Sequence, residues 1–166
     1  MKKIFLLVAL IATVFKQQTF AQDAKPTPFS PLLNSYYGIK DALINSDSGD
    51  ATAHAGDFLK AINSVDMKAL PAIDIKAFMS FRDKLSFDAR QISESKDVAH
   101  QREHFANFSV NFYKLAKAVK LTDQGMYYAY CPMKKSYWLS AEAAIKNPYY
   151  GKQMLTCGTV FEKLYK

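Results

Sequence analysis

Four sulfur-bearing side chains bracket the stretch YCPMKKSYWLSAEAAIKNPYYGKQMLTCG, residues 130–158, with Cys131 and Met133 near one end and Met154 and Cys157 near the other. Both of the chain's cysteines are among them. Thiolate and thioether donors select soft ions such as Cu(I) and Ag(I) over ions that prefer carboxylates and water. Met154 and Cys157 are spaced to share one face of a helical turn, and Pro132 stiffens the Cys-Pro-Met bend at the other end. The turn signal NPYYG between them can return the chain on itself. The same cysteines joined as a disulfide would close a loop of about 26 residues and stabilise by roughly 3 kcal/mol. Methionines also serve as adaptable core fillers. A soft-ion site, a Cys131–Cys157 disulfide and a pair of structural thiols therefore all fit this pattern, and the first two can interconvert by thiol chemistry.

His100 and His104, in AHQREHF, are four residues apart and project from one helix face. That spacing can chelate a divalent ion, as in H-E-x-x-H sites, but Gln101 and Arg102 follow the first histidine and no glutamate base is supplied. That argues against a zinc protease, and two exposed or satisfied histidines at a helix edge are the plain alternative. If the sulfur segment folds over this helix, the metal ligands are Cys131, Met133, Met154 and Cys157, with His104 and then His100 as further donors. His54 has no such companion. The chain holds no C-x-x-C, nucleophile elbow or Gly-rich phosphate loop, so a non-catalytic protein is expected. Ten tyrosines and twelve phenylalanines, including tyrosine pairs at 36–37, 127–128 and 149–150, read as packing groups. Trp138 reads as the anchor of the C-terminal segment.

Helices must position these groups. SPLLNSYYGIKDALINSD places Leu32, Tyr36, Ile39 and Leu43 on one stripe, with Ser30 as N-cap and Pro31 at the first helical position. A second helix, capped at Ser48, carries Ala51, Ala55, Phe58, Leu59, Ile62 and Val65. A third carries Phe78, Phe81, Leu85, Ala89 and Ile92. The fourth has the strongest pattern, with Phe105, Phe108, Phe112, Leu115 and Val119. Four amphipathic helices with short links predict a mainly α fold, an up-down four-helix bundle with an irregular, Cys/Met-bearing C-terminal segment packed on it. Within that segment MYYAYC alternates enough to predict a short extended stretch, and AEAAIK predicts a short helix capped by Ser140 and stopped at Asn147-Pro148. MLTCG leads into a final short helix or strand.

MKKIFLLVALIATVFKQQTFAQ combines two lysines, an apolar run shorter than the ~20 residues of a spanning helix and small residues before a cut after Ala21. It reads as a cleaved secretory signal peptide, residues 1–21, with no lipoprotein cysteine after it. A short leader, 22–29, and a single domain, 30–166, follow, divided into a bundle at 30–122 and the sulfur-bearing segment at 123–166. The three lysines lost on cleavage lower the formal charge from +7 to +4, a mild basicity that argues against nucleic acid as a partner. About 145 residues remain, enough for one core and too few for two domains. A soluble periplasmic protein with no membrane span in its mature form is expected.

The signatures HQREHF, YCPM, WLS, NPYYG and ML-x-CG, in that order, resemble an uncharacterised bacterial domain that occurs alone in exported proteins. The same domain occurs at the C-terminal end of CusB-type periplasmic adaptor subunits of heavy-metal efflux pumps. The resemblance spans essentially the mature chain. It implies a helical domain working near copper or silver, with Cu(I) or Ag(I) as cargo and a periplasmic efflux adaptor component as partner. The matching positions are His100, Arg102 and His104, then Cys131, Met133, Trp138, Asn147, Pro148, Tyr149, Gly151, Met154, Cys157 and Gly158. Arg102 is expected beside the ligands or at the core edge. A docking module with a Cys131–Cys157 disulfide and no metal is the alternative.

Overall fold

The apolar stripes of the sequence become four helices in the computed structural model, which describes residues 26–165: α1 Ser30–Asn45, α2 Ser48–Asn63, α3 Ala72–Glu94 and α4 Val98–Ala118. The predicted signal peptide and the start of the leader lie outside the described residues. Among those described, no helix is long and apolar enough to cross a membrane. Each helix packs chiefly on its neighbours in sequence, α1 on α2, α2 on α3 and α3 on α4. Leu32, Tyr36, Ile39 and Leu43 meet Ala55, Phe58 and Ile62, then Phe78, Leu85 and Ile92, then Phe105, Phe108, Phe112 and Leu115 in one core, all of them essentially solvent-free. Tyr36 lies at its centre, stacked on Phe105, Phe108 and Phe112 with ring centroids 5.4, 5.6 and 4.8 Å away.

The helix ends shift by a residue from the sequence reading. Phe29 rather than Ser30 is the N-cap of α1, so that Pro31 takes the second helical position, where its missing N–H costs nothing. Asp47 rather than Ser48 caps α2, its Oδ1 accepting the Asp50 N–H at 2.9 Å. A carboxylate there also meets the positive end of the helix dipole. Asp97 does the same for α4, with Ala99 N–H at 2.8 Å. Fully buried Gln101 sits one turn into α4. Its Nε2 faces Ser48 O, Ile92 O and Ser95 O at 3.0, 3.2 and 2.8 Å and Thr52 Oγ1 at 3.2 Å.

Beyond α4 the chain departs from the expected irregular segment. Strands β1 Met126–Cys131, β2 Ser136–Ser140 and β3 Thr159–Leu164 form an antiparallel sheet in the order β2-β1-β3. Ala129 pairs with Trp138 and Cys131 with Ser136 on one side of β1, and a register shift between Tyr128 and Ala129 interrupts the ladder to β3 on the other. Tyrosine and tryptophan favour strands, yet both faces of β1 carry apolar groups, which hides the period-two alternation. The helix expected at AEAAIK does not form. Six residues are too few to hold a helix without tertiary support. Ser140 belongs to β2 and its Oγ accepts the Glu142 N–H at 3.1 Å, making a local turn.

The sheet is joined to the helices through aromatic and polar groups. Tyr113 of α4 stacks on Tyr128 at 3.8 Å, and the Tyr36 hydroxyl accepts the Leu139 N–H at 2.9 Å while sharing a 2.8 Å hydrogen bond with Ser109. Burial drives the Tyr36 and Tyr128 hydroxyls far above the usual phenol range, so both stay protonated. At the far end the Tyr165 hydroxyl donates to the α4 carbonyl of Ala116, one of the carbonyls a helix leaves unpaired at its C-terminus.

Candidate thiol and histidine sites

The fold brings the two cysteines together. Cys131, the last residue of β1, is fully buried, and its Sγ accepts the Lys134 N–H at 3.4 Å across the β1–β2 hairpin. Cys157 ends the turn that leads into β3, its N–H donating to Met154 O at 3.0 Å. Both are free thiols, and the Cys157 sulfur is hydrogen-bonded to Cys131 and to the backbone N–H of Met133. Partial burial, then the neighbouring Cys131 sulfur, pushes the Cys157 thiol above its ordinary value. The Cys157 thiol is therefore protonated at neutral pH, and a bound ion would have to displace its proton. Met133 stands on the hairpin tip, 62% exposed, and Met154 is half-buried in the turn before Cys157.

A buried asparagine fixes Cys157. Asn147 donates its side-chain N–H to Cys157 O at 2.6 Å, its backbone N–H to Leu155 O at 2.8 Å, and accepts the Tyr149 N–H on Oδ1 at 2.8 Å. Gly158 follows at φ 153°, where a Cβ would stand 2.8 Å from Trp138 Cη2 and 2.9 Å from Tyr130 O, so a side chain is excluded beside the thiol. Tyr149 is buried edge-on against Trp138 and donates its hydroxyl to Tyr137 O. Arg102 completes the support from α4, with Nε donating to Pro148 O at 2.8 Å and Nη2 to Leu43 O at 2.8 Å and Ser46 Oγ at 2.9 Å. It ties the NPYYG loop to the C-terminal end of α1. Gly151, at φ 55°, lets this loop approach to where a Cβ would be 2.7 Å from Ile44 O.

The histidines lie elsewhere on α4. At 3.6 residues per turn, His104 is roughly 160° around the helix from Arg102. It faces α3, where its Nδ1 is 3.2 Å from Asp88 Oδ1 and its ring meets Phe87 edge-on at 5.9 Å. His100 sits one turn earlier, its ring centroid 4.7 Å from that of His104. Among the described residues no group of three or more His, Cys, Asp and Glu side chains is arranged to hold a metal ion. The six expected ligands thus divide into a thiol pair flanked in sequence by Met133 and Met154 and a histidine pair on α3's side. His54, at the α1–α2 crossing, lies near Asp50 at 3.5 Å.

Asp88 escaped the sequence reading. Its signal was present: it takes a stripe position between Leu85 and Ile92, where a carboxylate is out of place. Burial pushes it above the usual carboxylate range, against the pull of His104 and Asn111.

Comparison with known families matches residues 32–124 to the protein of unknown function family DUF3347, and the chain belongs to that family. The matched residues include His100, Arg102 and His104 and stop just before β1, so the thiol pair lies beyond them. No curated protein and no solved structure matches the chain.

Proposed function

We propose that this DUF3347 protein is an exported, non-catalytic metal-handling protein that takes Cu(I) or Ag(I) as cargo at Cys131 and Cys157. The observation that carries the reading is the contact between two free thiols far apart in sequence, held by Asn147, Gly158 and the β1–β2 hairpin. Two thiolates suit a soft ion, and the thioethers of Met133 and Met154 stand on the two segments that meet there. The four helices, read as an up-down bundle, are the scaffold. Export through a signal peptide cut after Ala21 would deliver the protein to the periplasm, and the sequence resemblance to the domain on CusB-type adaptors makes a heavy-metal efflux component its partner.

Titration of the reduced mature protein with Cu(I) against a competing chelator tests the reading. One ion per chain is expected, with affinity falling at least a hundredfold in the Cys131→Ser, Cys157→Ser double variant. Unchanged affinity in that variant overturns it. A second reading rests on the same contact: an oxidising compartment would convert adjacent thiols to a disulfide and make the segment a docking module. Intact mass of protein prepared without reductant separates the two, since a molecule two hydrogens lighter that binds no Cu(I) after reduction is the docking module.

A further inference from the structure

A buried carboxylate is costly unless something fixes its use, and Asp88 has a side chain only 6% exposed. Its Oδ1 faces Nδ1 of His104, and in its ionised form the carboxylate can only accept, which puts the ring proton on Nδ1 and leaves the lone pair on Nε2. This is how metal-binding imidazoles are oriented by a second residue that is not itself a ligand. The His104 side chain is 20% exposed, and the neighbouring ring is His100, one turn away, with centroids 4.7 Å apart and planes tilted by 58°. His100 has no hydrogen-bond partner among the described residues, and Phe87 closes the other side of His104 edge-on. The result is two imidazoles side by side at the protein surface, one with its donor atom preset.

We infer that His100 and His104 form a second metal site, separate from the thiol pair, that takes a borderline divalent cation of the Ni²⁺, Zn²⁺ or Cu²⁺ class with water completing the coordination and Asp88 as positioning residue. Imidazole suits these ions, whereas a soft monovalent ion prefers the sulfurs. The site is independent of the function proposed above and stands whether or not the thiols bind copper.

Nickel chloride is the probe, because it does not oxidise thiols, and the full chain carrying Cys131→Ser and Cys157→Ser is the background. Calorimetry is expected to show one ion per chain, and imidazole resonances of His100 and His104 broaden while those of His54 stay sharp. His100→Ala, at a half-buried position with no hydrogen-bond partner among the described residues, lowers the affinity at least tenfold. Asp88→Asn keeps a hydrogen-bond acceptor but removes the charge, so nickel affinity drops about tenfold while thermal stability holds or rises. Nickel bound equally well by His100→Ala, broadening at His54 instead, or no binding by the folded protein overturns the site. Unchanged affinity in Asp88→Asn overturns the positioning role.

Discussion

The helices of residues 30–118 and the sheet-bearing segment that follows are held by different means. The helices meet through a continuous apolar core in which Tyr36, Phe58, Phe105, Phe108 and Phe112 interlock, so their stability is spread over many contacts. The C-terminal segment buries Trp138, Leu139 and Tyr149, but its path is specified by single polar groups: the Tyr36 hydroxyl on Leu139, Asn147 on Cys157, Arg102 on Pro148, Tyr165 on Ala116. A core of interchangeable apolar groups fixes a scaffold, whereas polar groups with one geometry fix where two sulfur atoms stand.

Four substitutions probe that contrast. Phe108→Ala removes a solvent-free ring that touches Tyr36, Phe58 and Phe112, and should cost about 3–5 kcal/mol in denaturant unfolding. Both regions should melt together. Arg102→Met leaves Leu43 O and Pro148 O without this donor, for a loss of about 2–3 kcal/mol. Here the alkylation rate of Cys157 should rise while the far-ultraviolet helix signal stays intact. If alkylation merely tracks global stability, the two regions are one unit and the distinction fails. Gly158→Ala forces a Cβ against Trp138 and Tyr130 O and should cost about 1–3 kcal/mol, with amide exchange quickening first in β3 and the turn before it. The smallest effect belongs to Glu162 of β3, whose carboxyl is held below its ordinary value by Lys117 and Tyr113 of α4. Glu162→Gln should cost about 0.5 kcal/mol at neutral pH. A depressed pKa contributes stability above the ordinary glutamate value, ~4.3, and loses it as pH falls through the lowered one. The difference between variant and parent should therefore vanish in acid.

Much of the scaffold was legible because amphipathic helices advertise themselves by period. Leu32, Tyr36, Ile39, Leu43, Phe78, Leu85 and the α4 phenylalanines are buried where the pattern placed them. The sheet was legible at MYYAYC, and β3 only as one of the two alternatives, helix or strand, that follow MLTCG. Trp138 and Leu139 are adjacent and both buried, which no one-sided strand pattern anticipates. AEAAIK has helical propensity that its short length and the pairing of Ser140 override. Of the proposed ligands, the meeting of Cys131 and Cys157 matched their bracketing of a turn. The histidines face α3, and although Asp88 stood out on its own stripe, its pairing with His104 on another helix is long-range and could not be read from either segment alone.

Gln101 sets a rule of substitution for its position. All four atoms around its Nε2 are oxygens, three of them carbonyls, and Ile92 O and Ser95 O belong to the end of α3. Its own Oε1 has no partner among the described residues. The position thus demands a donor and ignores an acceptor, which inverts the usual ranking of replacements. Glutamate, the closest match in size and shape, would turn a negative charge onto a ring of oxygens and is the least tolerable choice. Shape similarity and chemical similarity part company at this one residue, and family members that vary here should do so by changing size before they change the sign of the group they present.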